Sequence, residues 1–237
     1  MKIFVYILVV SVFCSCGEKE KSKIVHTVKN GKQINEFKED YTFIEIADLP
    51  IQIDSTDYLI HPIGEFAIED SKKKSYVKYS SSLGKNFSVS NYNKHKLVGS
   101  LSNVKFQHID SEELRLLTQK AVKIKSLSFL RKIFDSTKKQ LLVYEVVDKD
   151  SNQDGKLNQE DIKTLYISKI DGTEFQKLSD NNKELIDWKV NATKNRLYFR
   201  TIEDSNKDGK FDNEDTLHYQ FIDLIAENFN VKSYKPI

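Results

Sequence analysis

Two cysteines stand in 237 residues, Cys14 and Cys16, and both lie at the end of the first apolar segment. The body of the chain therefore has no thiols for a disulfide staple, a thiolate cage or a redox pair. Glycine (8) and proline (3) are also scarce, which excludes collagen-like and linker-rich chains. The net charge is only +2 and no basic stripe is interleaved with aromatics, so nothing points to nucleic acid as a partner. Five scattered histidines, His26, His61, His95, His108 and His218, show neither the HExxH spacing nor a short ligand pair, and zinc is not expected. No GxSxG elbow, phosphate-cradling glycine loop or dinucleotide fingerprint occurs, so no catalytic class is signalled and a non-enzymatic protein is expected. The single tryptophan, Trp188, reads as core packing ahead of a ligand platform.

What is present begins with an export signal. Lys2 supplies a positive charge and Ile3 to Phe13 form an apolar run too short to span a bilayer as a stable helix. Ser15 places a small residue directly before Cys16, and residues 17 to 23, GEKEKSK, form a mixed-charge run with no apolar area to bury. This pattern resembles the lipobox of bacterial lipoproteins, although Phe13 stands where a leucine is usual. The resemblance implies a signal peptide over 1–15, acylation of Cys16, a solvated tether over 16–23, and a protein held to the membrane of the bacterial cell envelope by its lipid. An ordinary secretory signal with incidental cysteines is the alternative.

With 39% hydrophobic and 11% aromatic residues, the remainder is an ordered chain in which aromatic and β-branched residues favour strands. Its strongest internal pattern is a repeat. DSNQDGKL at 150–157 returns as DSNKDGKF at 204–211. Each copy follows a strand-like run, QLLVYEVV or RLYFRTI, and each precedes another, TLYISKI or TLHYQFI. The loops are thus expected to join strands. A second repeat relates HIDSEELRLLT at 108–118 to KIDGTEFQKLS at 169–179. Asp171-Gly172 predicts a type I′ hairpin turn with both central residues at positive φ.

One repeat unit then reads as strands at 126–134, 140–147, 163–170 and 174–178, a four-stranded antiparallel sheet. In RLYFRTI, Leu197 and Phe199 alternate with Tyr198 and Ile202, so both sheet faces require cover, as when blades stack radially. An earlier unit is expected over residues 58 to 100, with strands near 63–69, 75–80 and 86–91. Residues 24–57 form an N-terminal extension that could add a closing strand. The β-repeat domain is placed at 58–237.

TLYISKIDGTEFQKLS resembles the repeat of TolB-type β-propellers, and DxNxDG loops inserted into such blades resemble those of exported bacterial lipoproteins. The expectation is an all-β fold of antiparallel four-stranded, blade-like repeats in a small β-propeller or propeller-like array, with a β-sandwich as the alternative. Three units are readable and a fourth is inferred. By analogy alone, an envelope assembly factor of TolB-like type is a second functional class, and an enzyme with an unrecognised site a third.

The two loops carry the chemistry. Calcium takes six to eight oxygens, and a twelve-residue loop wraps it when alternate side chains point inward around one sharp turn. Asp150, Asn152 and Asp154 occupy positions 1, 3 and 5, Gly155 the turn, Lys156 offers its backbone carbonyl, and Asp161 closes at position 12. Asp204, Asn206, Asp208, Gly209, Lys210 and Asp215 take the same places in the second copy. Leu157 and Phe211 stand at position 8 as apolar anchors. The spacing is EF-hand-like and dockerin-like, but the last ligand is aspartate instead of the longer glutamate, and strands replace the flanking helices. Two structural Ca2+ sites are expected, each stapling a long hairpin connection. Acids, asparagine and glycine also make solvated turns without any ion, which is the alternative. Asp212 adds a carboxylate at position 9 where the first loop has Asn158, so the second site is expected to bind more tightly. A protein or glycan partner, presented to these loops, is the expected class of ligand.

Overall fold

The computed structural model describes residues 22–26, 41–69, 89–93 and 95–237. The signal peptide expected at 1–15, Cys16, residues 17–21 of the expected tether and the strand expected at 75–80 lie outside the described residues. Among those described, no helix is long and apolar enough to cross a membrane.

The chain is all-β and antiparallel, with one short helix among the described residues. In order, the elements are β1 (Tyr41–Ala47), β2 (Ile51–Gln52), β3 (Tyr58–Glu69), β4 (Val89–Asn93), β5 (Lys96–His108), β6 (Arg115–Leu116), β7 (Lys123–Phe129), α1 (Arg131–Thr137) and β8 (Leu141–Val147). They continue with β9 (Lys163–Lys169), β10 (Gln176–Lys177), β11 (Lys183–Asn191), β12 (Arg196–Glu203), β13 (Thr216–Asp223) and β14 (Lys232–Ser233). Two four-stranded meanders, β7-β8-β9-β10 and β11-β12-β13-β14, match the expected unit strand for strand.

The earlier unit departs from that plan. The long strand β5 pairs through Tyr58↔His108 to Ile63↔Asn103 with β3, and through Lys96↔Ser128 to Leu101↔Ile124 with β7. One strand thus crosses from the first unit into the second, and the strands from β1 to β10 join in a ten-stranded sheet. Register shifts at Ile63/Gly64 and between Val98 and Leu101 mark the change of partner, as expected where a bulge bends a strand. The sheet also begins earlier than residue 58, because β1 and β2 of the supposed extension both pair with β3.

Packing follows the alternation of side chains along each strand. Along β8, Leu142, Tyr144 and Val146 join Ile60, Leu101, Val104 and Phe106 in one buried cluster. The intervening Leu141 and Val143 join Leu165, Ile167, Leu185, Leu197, Phe199 and Ile222 in a second. The middle unit is therefore covered on both faces. The third unit turns Leu197 and Phe199 inward, while Tyr198, Phe221 and Tyr234 form a ring cluster on its other side, with Arg196 lying 4.3 Å over Phe221.

The repeat 108–118/169–179 is structural. Leu117 N donates to Val104 O at 2.9 Å and Leu178 N to Leu165 O at 2.8 Å, and both leucines are buried. Its turn differs from expectation. Gly172 has φ +76°, but Asp171 is not at positive φ, and Lys169 N donates to Thr173 O. The connection is a three-residue loop with glycine at the left-handed position, not a two-residue type I′ turn. The Asp171 carboxylate accepts from Thr173 N and Oγ1, which satisfies the wider loop. A Cβ on Gly172 would stand 2.4 Å from the Phe106 ring. The strand expected to run to residue 134 stops at Phe129, and α1 follows, held by the Arg131–Asp135 pair and the buried Ile133.

Candidate functional site

Both repeated loops lie where the sequence placed them, one between β8 and β9 and the other between β12 and β13. Most of their internal bonds recur position by position, the exception at position 1 being Asp150 Oδ1, which accepts from Asp154 N at 3.2 Å, where Asp204 Oδ1 has no such bond. At position 1, Asp150 Oδ2 accepts from Gly155 N at 2.9 Å, and Asp204 Oδ2 accepts from Gly209 N at 2.8 Å. At position 3, Asn152 Oδ1 and Asn206 Oδ1 accept from the N–H of Asp154 and Asp208, each at 3.0 Å. At position 5, Asp154 Oδ1 and Asp208 Oδ1 accept from Lys156 N and Lys210 N, each at 2.8 Å. Asn158 Oδ1 and Asp212 Oδ1, at position 9, accept from Glu160 N and Glu214 N.

The closing aspartates fold each loop back on its start. Asp161 takes Ser151 N and Asn158 N, while Asp215 takes Ser205 N and Asp212 N. Left-handed backbone recurs at Gln153 and Gly155, and again at Lys207 and Gly209. The two segments are thus one built conformation used twice. Ordinary wet turns need not agree at this level.

The loops differ in burial. Asp161 is 1% exposed and Asp204 is 4% exposed, whereas Asp154, Asn206, Asp208 and Asp212 are exposed and Asp150, Asn152, Lys210 and Asp215 half-buried. Lys156 is exposed at the turn. Asp204 Oδ2 is hydrogen-bonded, but its equally buried Oδ1 has no hydrogen-bond partner. Burial opposes ionisation of Asp204, yet the bonds from His26 and from the backbone N–H groups of Gly209 and Lys207 outweigh it and hold the carboxyl below its ordinary range. An ionised, buried carboxylate oxygen without a partner is costly in a finished protein.

Among the described residues, no group of three or more His, Cys, Asp or Glu side chains stands as a metal cage. Carboxylates alone do not enclose an ion in these loops. The donor set that the spacing points to also uses the Asn152 or Asn206 oxygen and the Lys156 or Lys210 carbonyl. These are all hard oxygens, which suits calcium and no thiolate- or imidazole-seeking metal. The orphaned Asp204 Oδ1 is the observation that fits a cation at the second loop.

Sequence reasoning missed the segment that covers the loops. Lys23 N donates to Gly209 O and Val25 N to Ser151 O, each at 2.9 Å. Ser151 Oγ donates to Lys23 O at 2.6 Å, Gln153 Nε2 to Val25 O at 3.3 Å, and His26 Nε2 lies 2.8 Å from Asp204 Oδ2. Ile24 is 4% exposed. The end of the expected tether is therefore docked: Lys23 Nζ also pairs with Glu184 Oε1 at 3.0 Å. The serine in DSN was the available signal. Ser151 Oγ accepts Ile162 N and Ser205 Oγ accepts Thr216 N, so both serines brace the residue after position 12.

Beside the second loop a cleft of about 580 Å³ is lined by Lys23, Lys163, Glu184, Ile202, Lys210 and Phe211, among others. Glu184 is tied to Lys23 Nζ and to the Lys163 N–H. His108 packs edge-on against Tyr58, and His218 pairs with Glu203 at 2.8 Å. Trp188 is half-buried against the second core cluster and donates to Glu145 Oε1, in keeping with a packing role.

No known protein family matches the chain, and no curated protein matches it. Among solved structures, it is similar to a chain from Agrobacterium tumefaciens assigned as a candidate TolB, at 11% identity over 80% of each chain and a TM-score of 0.21. At that score the likeness carries no weight for fold or function.

Proposed function

We propose that this chain is a calcium-binding lipoprotein of the bacterial envelope, anchored through Cys16, in which two Ca2+ ions act as structural staples. It serves as a non-enzymatic binding or scaffold protein, for a protein or glycan partner. The reading is supported above all by Asp204: a buried carboxylate held ionised, with one oxygen unpartnered, at position 1 of a loop most of whose internal bonds recur in its twin. Asp150, Asn152, Asp154, the Lys156 carbonyl and Asp161 would hold the first ion. Asp204, Asn206, Asp208, the Lys210 carbonyl, Asp212 and Asp215 would hold the second. When bound, the ion supplies positive charge to crowded carboxylates.

The chain's own contribution is to preorganise oxygens on a rigid hairpin. Strands on both sides of each loop deny it the helix opening of EF-hand sensors, so occupancy fixes a connection and does not open a groove. Sites of this kind outside the cell bind at about 0.1–1 mM, so they would be constitutively filled there. Isothermal titration of calcium into the EDTA-stripped mature chain tests the reading. Two sites per chain are expected, and heats indistinguishable from buffer would refute it.

A further inference from the structure

The covering segment makes contact with both loops at once. Its backbone alternates between them: Lys23 N is bonded to the second loop through Gly209 O, and Val25 N to the first through Ser151 O. Its side chains do the same. Gln153 and Ser151 of the first loop hold its carbonyls, while His26 reaches Asp204 of the second. Ile24 is buried between these anchors, and the Gly209 Cα lies so close that an added Cβ would fall 2.8 Å from Ile24 O and 2.9 Å from Ser22 Oγ.

Every loop group used is one whose position depends on loop conformation. Ser151 is the residue after position 1, and its N–H donates to Asp161 of position 12. Gly209 is the turn residue whose N–H bonds Asp204. If carboxylate repulsion opens a loop, its anchor for the segment is displaced. If an ion draws the carboxylates together, the anchor is set.

We propose that residues 22–26 form a clasp that joins the two loops into one calcium-responsive unit and locks the N-terminal segment onto the body when the loops fill. The clasp rests on the calcium reading above and extends it to regulation of the same sites. Two consequences follow from thermodynamic linkage. Filling one loop helps to seat the clasp and thereby raises the affinity of the other. Seating also shortens the free chain between body and N-terminus, because residues 22–26 cease to be part of the linker.

Val25→Pro removes the N–H that reaches Ser151 O without touching any proposed ligand, and Ile24→Asp removes the buried anchor. Both act in a peripheral segment and leave the sheets intact. The full mature chain and both variants are titrated with calcium by calorimetry, and tryptic cleavage after Lys23 is timed in EDTA and in 5 mM calcium. For the unaltered chain, calcium slows cleavage after Lys23 about tenfold or more, and both sites fill in one cooperative isotherm. In each variant two sites still fill, independently, and cleavage becomes insensitive to calcium. Calcium binding with unchanged cleavage in the unaltered chain, or cooperativity retained in both variants, overturns the clasp and leaves the staple reading standing. Absence of calcium binding overturns both.

Discussion

Gly155 and Gly209 occupy the same position in the two loops, with φ of +83° and +85°, and this makes them a matched pair. Replacing either by alanine forces a side chain into the left-handed region, at a cost of about 1 kcal/mol. Around Gly155 nothing lies within 4 Å of the new Cβ, whereas at Gly209 the Ile24 carbonyl and Ser22 would be struck. Because backbone is involved, relief requires the segment 22–26 to lift away. Lifting exposes Ile24, worth about 1.5–3 kcal/mol, and breaks hydrogen bonds worth about 1 kcal/mol each. The freed backbone entropy, about 1–2 kcal/mol per residue, offsets much of this. Gly155→Ala should therefore cost about 1 kcal/mol and Gly209→Ala about 2–4 kcal/mol, measured by urea denaturation in EDTA so that no ion contributes. In a Val25→Pro background the two costs should converge. Equal costs in the unaltered background would refute the reasoning, because they would mean that Gly209 carries no packed segment.

Other expectations are independent of that pair. Asp150→Ala, which leaves the second loop intact, should retain a site about tenfold tighter than the one left by Asp204→Ala, because Asp212 adds a carboxylate where the first loop has Asn158; calorimetry decides, and equal affinities count against it. Tyr144→Phe should destabilise the fold by about 0.5–1.5 kcal/mol in thermal or urea melts. The fully buried hydroxyl lies 2.7 Å from Ser168 Oγ, and burial holds the phenol well above its ordinary pKa. Asp187 is held below its ordinary pKa of 3.8 by the hydrogen bonds from Arg200. A depressed carboxyl stabilises the fold above the ordinary value and loses that contribution as pH falls through the folded one. Both partners are about half exposed, with side-chain exposures of 42% and 52%. Arg200→Met should thus cost less than about 1 kcal/mol at pH 7 and nothing well below the aspartate range, as read from urea midpoints against pH.

The parts of the fold that were legible in the sequence are those coded by short-range chemistry. A glycine at positive φ, acid and amide side chains alternating two residues apart and a closing aspartate specify a loop within twelve residues, and both loops fall between strands as the flanking runs required. The buried Leu117 and Leu178 were likewise visible as the closing leucines of one repeat. What stayed hidden depends on distant partners. Ile24 is one apolar residue beside a lysine-rich run, so its burial against loops more than a hundred residues away leaves no periodic signal. Nothing local in β5 announces that its two halves pair with different units. The turn at Asp171 went astray because aspartate-glycine suits both a two-residue turn and a three-residue loop. Thr173, which donates twice to the Asp171 carboxylate, favours the longer one. In KIFDST, the helix over Arg131–Thr137 gains the Arg131–Asp135 pair and the buried Ile133, a spacing that a short apolar run does not distinguish from a strand.

The most direct measurement is the melting temperature of the mature chain after exhaustive EDTA treatment, with and without 5 mM calcium. With dissociation constants of about 0.1–1 mM, each site contributes about 1–2 kcal/mol at that concentration. For a chain of this size the two together should raise the melting temperature by about 5–15 °C. Magnesium at the same concentration should do much less, since it prefers rigid octahedral sites and dehydrates reluctantly. An unchanged melting temperature in calcium would contradict the account, and Asp204 would then be a buried carboxylate whose unpartnered oxygen serves no ion.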